Sequence, residues 1–178
     1  MSGCLVIVST PIGNLSDFSK RAARTLEDSD IIACEDTRMT RKLLALSGRT
    51  STAKLVPYHD HNGATMRPQL LADIGAGKIV ALVSDAGTPL ISDPGYKLVA
   101  ACHDNGFKVA TVPGPSAPIA ALTVSGLPSN KFVFAGFLPT TTRACEAAIR
   151  DMRDLSMTII WFETPRRLLK SLTLMSDI

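Results

Sequence analysis

The chain has 178 residues, 46% of them hydrophobic and 20% charged. That composition excludes a disordered polymer and allows one full domain, or one domain plus a fragment. The net charge is +3, spread as 12 basic against 11 acidic residues over 1–113 and 7 against 5 over 114–178, so nucleic-acid binding would need a local patch rather than the overall field.

Apolar runs of strand length alternate with helical periods. Leu5–Val8 reads as a buried strand, and Phe18–Leu26 as a helix with Phe18, Ala22 and Leu26 on one face. Ile31–Cys34 is the second strand, and Met39, Leu43 and Leu46 mark the apolar face of the next helix, stopped by Gly48. A weaker strand over Lys54–Tyr58 leads to a helix near Met66–Ile74 and the turn Gly75-Ala76-Gly77. Ile79–Val83 is a strand, Tyr96–His103 a helix, Val109–Val112 a strand and Ser116–Val124 a helix. The strands are continuous rather than alternating apolar runs, which predicts an α/β fold with an open, mostly parallel sheet and helices on both faces.

Gly126–Ser129 reads as a linker, dividing an N-terminal α/β domain over 1–125 from a C-terminal one over 126–178. The second holds strands at Phe132–Phe137 and Thr158–Phe162 and helices at Ala144–Met152 and Arg167–Leu174. That is thin for an independent core, so it reads as a partial second domain, or one completed by a partner chain. Cys4, Cys34, Cys102 and Cys145 form no C-x-x-C pair, and reduced structural thiols in the cytoplasm are expected. No apolar run approaches the roughly 18 residues of a membrane span. The start lacks the basic segment of a signal peptide.

Four polar loops leave the carboxyl ends of strands, where open parallel sheets bind ligands. They are Thr10–Asn14, Glu35–Arg38, Ser84–Pro89 and Pro113–Ala117. In the third, Asp85 follows a strand directly, and the small Ala86 and Gly87 let a ligand approach the backbone. Asp93 is placed to cap a helix begun by Pro94, and Ser116 is either a cap or a ligand donor. Arg38, Arg41 and Lys42 form a basic helical stripe. Such a stripe is commonly a solvated face, but this one starts at a polar loop and suits RNA phosphates. No G-x-G-x-x-G, P-loop or G-x-S-x-G occurs, which excludes common nucleotide and hydrolase loops. His59-Asp60-His61 has poor ligand spacing, so no metal site is expected.

The motifs TPIGNL at 10–15, EDTRMTRKLL at 35–44, HDHN at 59–62, VSDAGTPLISDPG at 83–95, VPGPSA at 112–117 and FETPRRLL at 162–169 together resemble the ribosomal RNA small-subunit methyltransferase I family of the tetrapyrrole methylases. The resemblance implies a tetrapyrrole-methylase-like fold of two α/β domains, a homodimer, and S-adenosyl-L-methionine as methyl donor. It further implies 2′-O-methylation of a cytidine ribose in the 16S rRNA of the small ribosomal subunit. Pro11, Asp85, Ala86, Gly87, Ile91, Ser116, Ala117 and Phe162 are then expected to bind the donor. Glu35, Asp36 and Arg38 are expected to serve the chemistry, with Glu35 or Asp36 taking the hydroxyl proton and Arg38 orienting that carboxylate or a phosphate. An internal Asp36–Arg38 bridge capping the helix stays open as the alternative. Arg41, Lys42, His61 and Asn62 are expected to touch RNA, with a turn role for Asn62 equally open. Three rivals stay open: a methylase of small tetrapyrroles, a non-catalytic RNA-binding module, and a metal-dependent phosphohydrolase using Glu35, Asp36, Asp85 and Asp93.

Overall fold

A computed structural model describes residues 3–178 of the chain. It holds two compact units, one ending at Ala117 and one comprising Pro118–Ile178.

The first unit is a five-stranded sheet in the order β3-β2-β4-β1-β5. Its strands are β1 (Cys4–Val8), β2 (Ile31–Cys34), β3 (Lys54–Pro57), β4 (Ile79–Val83) and β5 (Lys108–Val112), and every pairing is parallel. The side-chain alternation of a strand sends two apolar sets to opposite faces. Leu5, Ile7, Ile31, Ala33, Val80 and Leu82 meet Leu70 and Ile74 of α3 (Gly63–Gly75) and Leu98 and Cys102 of α4 (Tyr96–Asp104). Val6, Val8, Ile32, Cys34, Ala81 and Val83 meet Ala22 and Leu26 of α1 (Lys20–Glu27) and Leu44 of α2 (Thr37–Leu46). The crossovers toward β3 therefore carry their helices on one face and the returning crossovers on the other, as a single crossover hand requires. The expected parallel sheet with helices on both faces is observed.

Three local expectations are corrected. Phe18 precedes α1 instead of belonging to it: Leu15–Asp17 form a 3-10 turn, and Ser19 caps α1 by accepting the Ala22 N–H at 3.0 Å. Phe18 still packs on the core cluster of Ala22 and Leu26. In α2 the buried positions are Thr40 and Leu44, while Met39 and Leu46 are exposed at 44% and 60%. The cap at Asp36 fixes where α2 starts, and packing on β2 selects its Thr40/Leu44 side. Asp93 does not cap α4, which begins at Tyr96 after Gly95, with no side chain on its first amides.

The second unit carries most of α5 (Ala117–Val124), a parallel pair of β6 (Phe132–Phe137) and β7 (Thr158–Phe162), and helices α6 (Thr142–Arg153) and α7 (Pro165–Asp177). Its core is small: Leu138, Cys145 and Ile149 are buried, with Trp161, Leu174 and Met175 against them. A polar clasp supplements it. Glu163 accepts the Ser171 hydroxyl at 2.7 Å and the Thr164 N–H at 2.6 Å, and pairs with Arg167 at 3.1 Å. Arg167 also donates to the carbonyls of Leu138 (3.0 Å) and Pro139 (2.6 Å). All four cysteines are free thiols. No helix of the described residues is long and apolar enough to cross a membrane.

Candidate functional site

Because all five strands run the same way, the loops after β1, β2, β3, β4 and β5 emerge at one edge of the first unit. Three of them are sewn together there. Thr10 N–H donates to the Gly87 carbonyl at 2.8 Å, and Gly87 N–H returns to the Thr10 carbonyl at 3.2 Å. The buried Thr10 hydroxyl donates to the Ser84 carbonyl at 3.2 Å. Thr88 spends its hydroxyl proton on the Pro115 carbonyl at 2.9 Å, so Ser9, whose Oγ lies 2.9 Å from Thr88 Oγ1, is the donor in that contact. The turns after β1, β4 and β5 thus form one cradle.

Glycine is required at two points of the cradle. Gly87 has φ +84, and a Cβ on it would come 3.4 Å from Ile12. At Gly114 a Cβ would stand 2.9 Å from that of Ser9. The loop from β4 also bends through Leu90 at φ 75 and Ser92 at φ 65. These left-handed, non-glycine positions store strain of a kind that clusters at ligand sites.

The carboxylates at this edge differ in character. Asp36 Oδ1 accepts the Arg38 N–H at 2.8 Å, capping α2, and the Arg38 guanidinium closes on the same carboxyl with contacts of 2.6 to 3.2 Å. Those bonds from Arg38 hold the Asp36 carboxyl down to about 2. It is a permanent anion and a weak base. Glu35 has the opposite environment: partial burial first, then the charges of Asp85 and Asp93, raise it above the usual carboxylate range. Asp85 accepts the Asp36 N–H at 3.1 Å, yet partial desolvation of its carboxyl on an otherwise exposed residue, helped by the charge of Asp36, raises it too. Asp93 is likewise raised, by burial and then by Asp85, against the opposing hydrogen bond of Ser84.

The remaining expected residues are distributed as follows. Asp85 and Ala86 are exposed at the edge, Ile91 is 39% exposed, and Pro11, Ser116 and Ala117 are half-buried. Ser116 immediately precedes α5. Arg41 and Lys42 are exposed on α2, and Arg41 lines an open groove of about 650 Å³ together with Arg49, Thr50 and Ser51. Asn62 is occupied in its own turn: its Oδ1 accepts the His59 N–H and its amide donates to the Pro57 carbonyl, both at 2.9 Å. His61 is exposed, with its ring edge-on to His59 at 5.9 Å. In the second unit, Phe162 closes an aromatic trio with Phe134 (4.8 Å) and Phe137 (5.2 Å).

Sequence reading missed Ser9, and it gave Thr88 no role beyond its loop. For Ser9 the available signal was a hydroxyl directly after an apolar strand. Among the described residues no three His, Cys, Asp or Glu side chains group as ligands for a metal ion. The exposed carboxylate of Asp85, the small residues Ala86 and Gly87, and the part-exposed Ile91 all belong to the loop after β4 at this edge.

Comparison with known proteins shows which family the chain is similar to. The model of the Tetrapyrrole (Corrin/Porphyrin) Methylases matches residues 4–178. Ribosomal RNA small subunit methyltransferase I of Mesorhizobium japonicum is 51% identical over 97% of this chain and 58% of its own length. The protein of that name from Rickettsia prowazekii is 48% identical over 98% of this chain and 61% of its own. The chain therefore spans about three fifths of the length of these curated relatives. A solved cobalt precorrin-4 methyltransferase shares the fold, with a TM-score of 0.66 at 15% identity over 99% of this chain and 74% of that one. On a family match that spans residues 4–178, this chain belongs to the tetrapyrrole (corrin/porphyrin) methylases.

Proposed function

We propose that the protein is an S-adenosyl-L-methionine-dependent methyltransferase that 2′-O-methylates a cytidine ribose of 16S rRNA, working as a cytoplasmic homodimer on the small ribosomal subunit. The observation that carries this reading is the cradle sewn from the turns after β1, β4 and β5, beside one carboxyl of raised and one of lowered basicity. The near-50% identity to proteins named for small-subunit ribosomal RNA supports the choice of acceptor.

The cradle residues bind and orient. Asp85 engages ribose hydroxyls, Ala86 and Gly87 offer backbone groups, and Ile91, Pro11 and Ala117 exclude water. When bound, S-adenosyl-L-methionine supplies a methyl group activated by its sulfonium charge. A ribose hydroxyl attacks well only as its proton leaves, so a base is needed. Of the two candidates, Glu35 is the better, since its raised carboxyl keeps affinity for a proton. Asp36 keeps Arg38 in place, and Arg38 presents its remaining N–H groups to a backbone phosphate. Arg41 and Lys42 extend that positive surface along α2.

The test is methyl transfer from labelled donor to assembled small subunits, followed by nuclease digestion and mass spectrometry. Label on a cytidine 2′-oxygen is expected. Label on a base, or turnover of a precorrin instead of RNA, would overturn the acceptor.

A further inference from the structure

Beside the cradle lies a second, smaller feature that the proposed chemistry leaves unused. Tyr58, His59, Asp60, Gly63, Arg67 and Lys97 are among the residues that enclose a cavity of about 60 Å³. That is room for a few waters or one small tetrahedral oxyanion. Two of its side chains carry buried nitrogens with no hydrogen-bond partner: Nδ1 of His59 and Nε of Arg67. An orphaned buried donor is costly, and an arginine Nε–H can only donate. The cavity also receives the first residues of α4, whose cap Gly95 offers no side chain to the free amides of the first turn. Asp60 is the one acidic residue of the lining, against Arg67 and Lys97.

An orphaned arginine Nε–H, two cations and an uncapped helix start in a cavity of this size have one common complement. We infer that this cavity binds a phosphate group, and that its natural occupant is a backbone phosphate of an unpaired stretch of the RNA acceptor. The phosphate site stands on the geometry alone, whereas the RNA source rests on the proposed function. The placement suits it. The cavity lies at the carboxyl end of β3, the strand next to β2, whose end carries Glu35. At the mouth, Tyr96 exposes 63% of its surface beside Lys97. An exposed aromatic next to a phosphate hole is the pairing that holds single strands, one group gripping the backbone and the other stacking a base.

The experiment is amide NMR on the full chain titrated with inorganic phosphate at constant ionic strength. Saturable shifts are expected at Ala64, Tyr96 and Lys97. Arg67→Gln should weaken them about tenfold. Lys97→Gln, at an exposed position that cannot unfold the protein, should weaken them in the same direction. Linear shifts without saturation would mean a merely hydrated cavity, and saturation that neither Arg67→Gln nor Lys97→Gln weakens would mean that phosphate binds elsewhere; either overturns the site. A second arm measures a short single-stranded RNA by fluorescence anisotropy. Tyr96→Ala and Arg67→Gln should each lower its affinity at least fivefold. RNA affinity indifferent to both variants would overturn the RNA source. Failure of methyl transfer in the unaltered chain, with phosphate shifts intact, would strike the proposed function and not this site.

Discussion

Thr10 and Gly87 exchange both of their backbone hydrogen bonds, at 2.8 and 3.2 Å, outside the sheet proper. This antiparallel bridge between two loops ties the mouth of β1 to the mouth of β4. It also explains why Gly87 sits at φ +84 with Ile12 against its open side. Gly87→Val should therefore cost about 1–2 kcal/mol of stability from the left-handed backbone alone, read by urea denaturation. Donor affinity by calorimetry should fall further than the lost folded fraction explains. Unchanged affinity would remove this turn from the binding site.

Glu35 and Asp36 are neighbours with opposed environments, and a pH profile separates them. A base acts only when deprotonated, and Glu35 is raised by burial and by Asp85 and Asp93. The acid limb of kcat/KM should accordingly fall as pH drops through a value above the usual glutamate range, near 4.3. Glu35→Gln should abolish that limb and lower kcat by roughly 10²–10⁴, with donor binding retained. A limb that persists in Glu35→Gln assigns the base elsewhere.

Asp36 makes the complementary prediction for stability. Its folded carboxyl is lowered to about 2, so the stabilisation it gives is present above the ordinary aspartate range and is lost as pH falls toward 2. Asp36→Ala should melt at a lower temperature than the parent at pH 7, with the gap narrowing as acid is added. A pH-independent gap would mean that the cap and the Arg38 fork contribute nothing through charge.

The basic surface of α2 is tested by charge reversal. Arg41 and Lys42 are exposed. Reversing both to Glu should weaken RNA binding and lower the slope of log K against log salt by about one per lost phosphate contact. Unaltered affinity and slope would remove them from the RNA track.

Much of this was legible in the sequence. Ile31–Cys34 and Ile79–Val83 are unbroken runs of apolar residues, and both their extent and their state were recoverable, because strands buried on two faces need no alternation. The loop positions followed, since in a parallel sheet every strand's carboxyl end lies at one edge. What failed depended on rotation and register. Met39, Leu43 and Leu46 have as good a helical period as Thr40 and Leu44, and only the docking of α2 on β2 decides between them. Asp93 had the composition of a cap, but α4 starts two residues beyond Pro94, after Gly95 at φ +139. The positive φ of Leu90 and Ser92 has no compositional signature. The contrast between Glu35 and Asp36 arises from hydrogen bonds and burial that adjacent letters do not encode.

The most direct measurement of the central claim is a crystal structure of the protein with S-adenosylhomocysteine, the demethylated donor. Its nucleoside is expected against Asp85, Ala86 and Gly87, with the turns at Pro11 and Ser116–Ala117 around it. A nucleoside bound away from these turns, with Asp85 turned from the ligand, would contradict it.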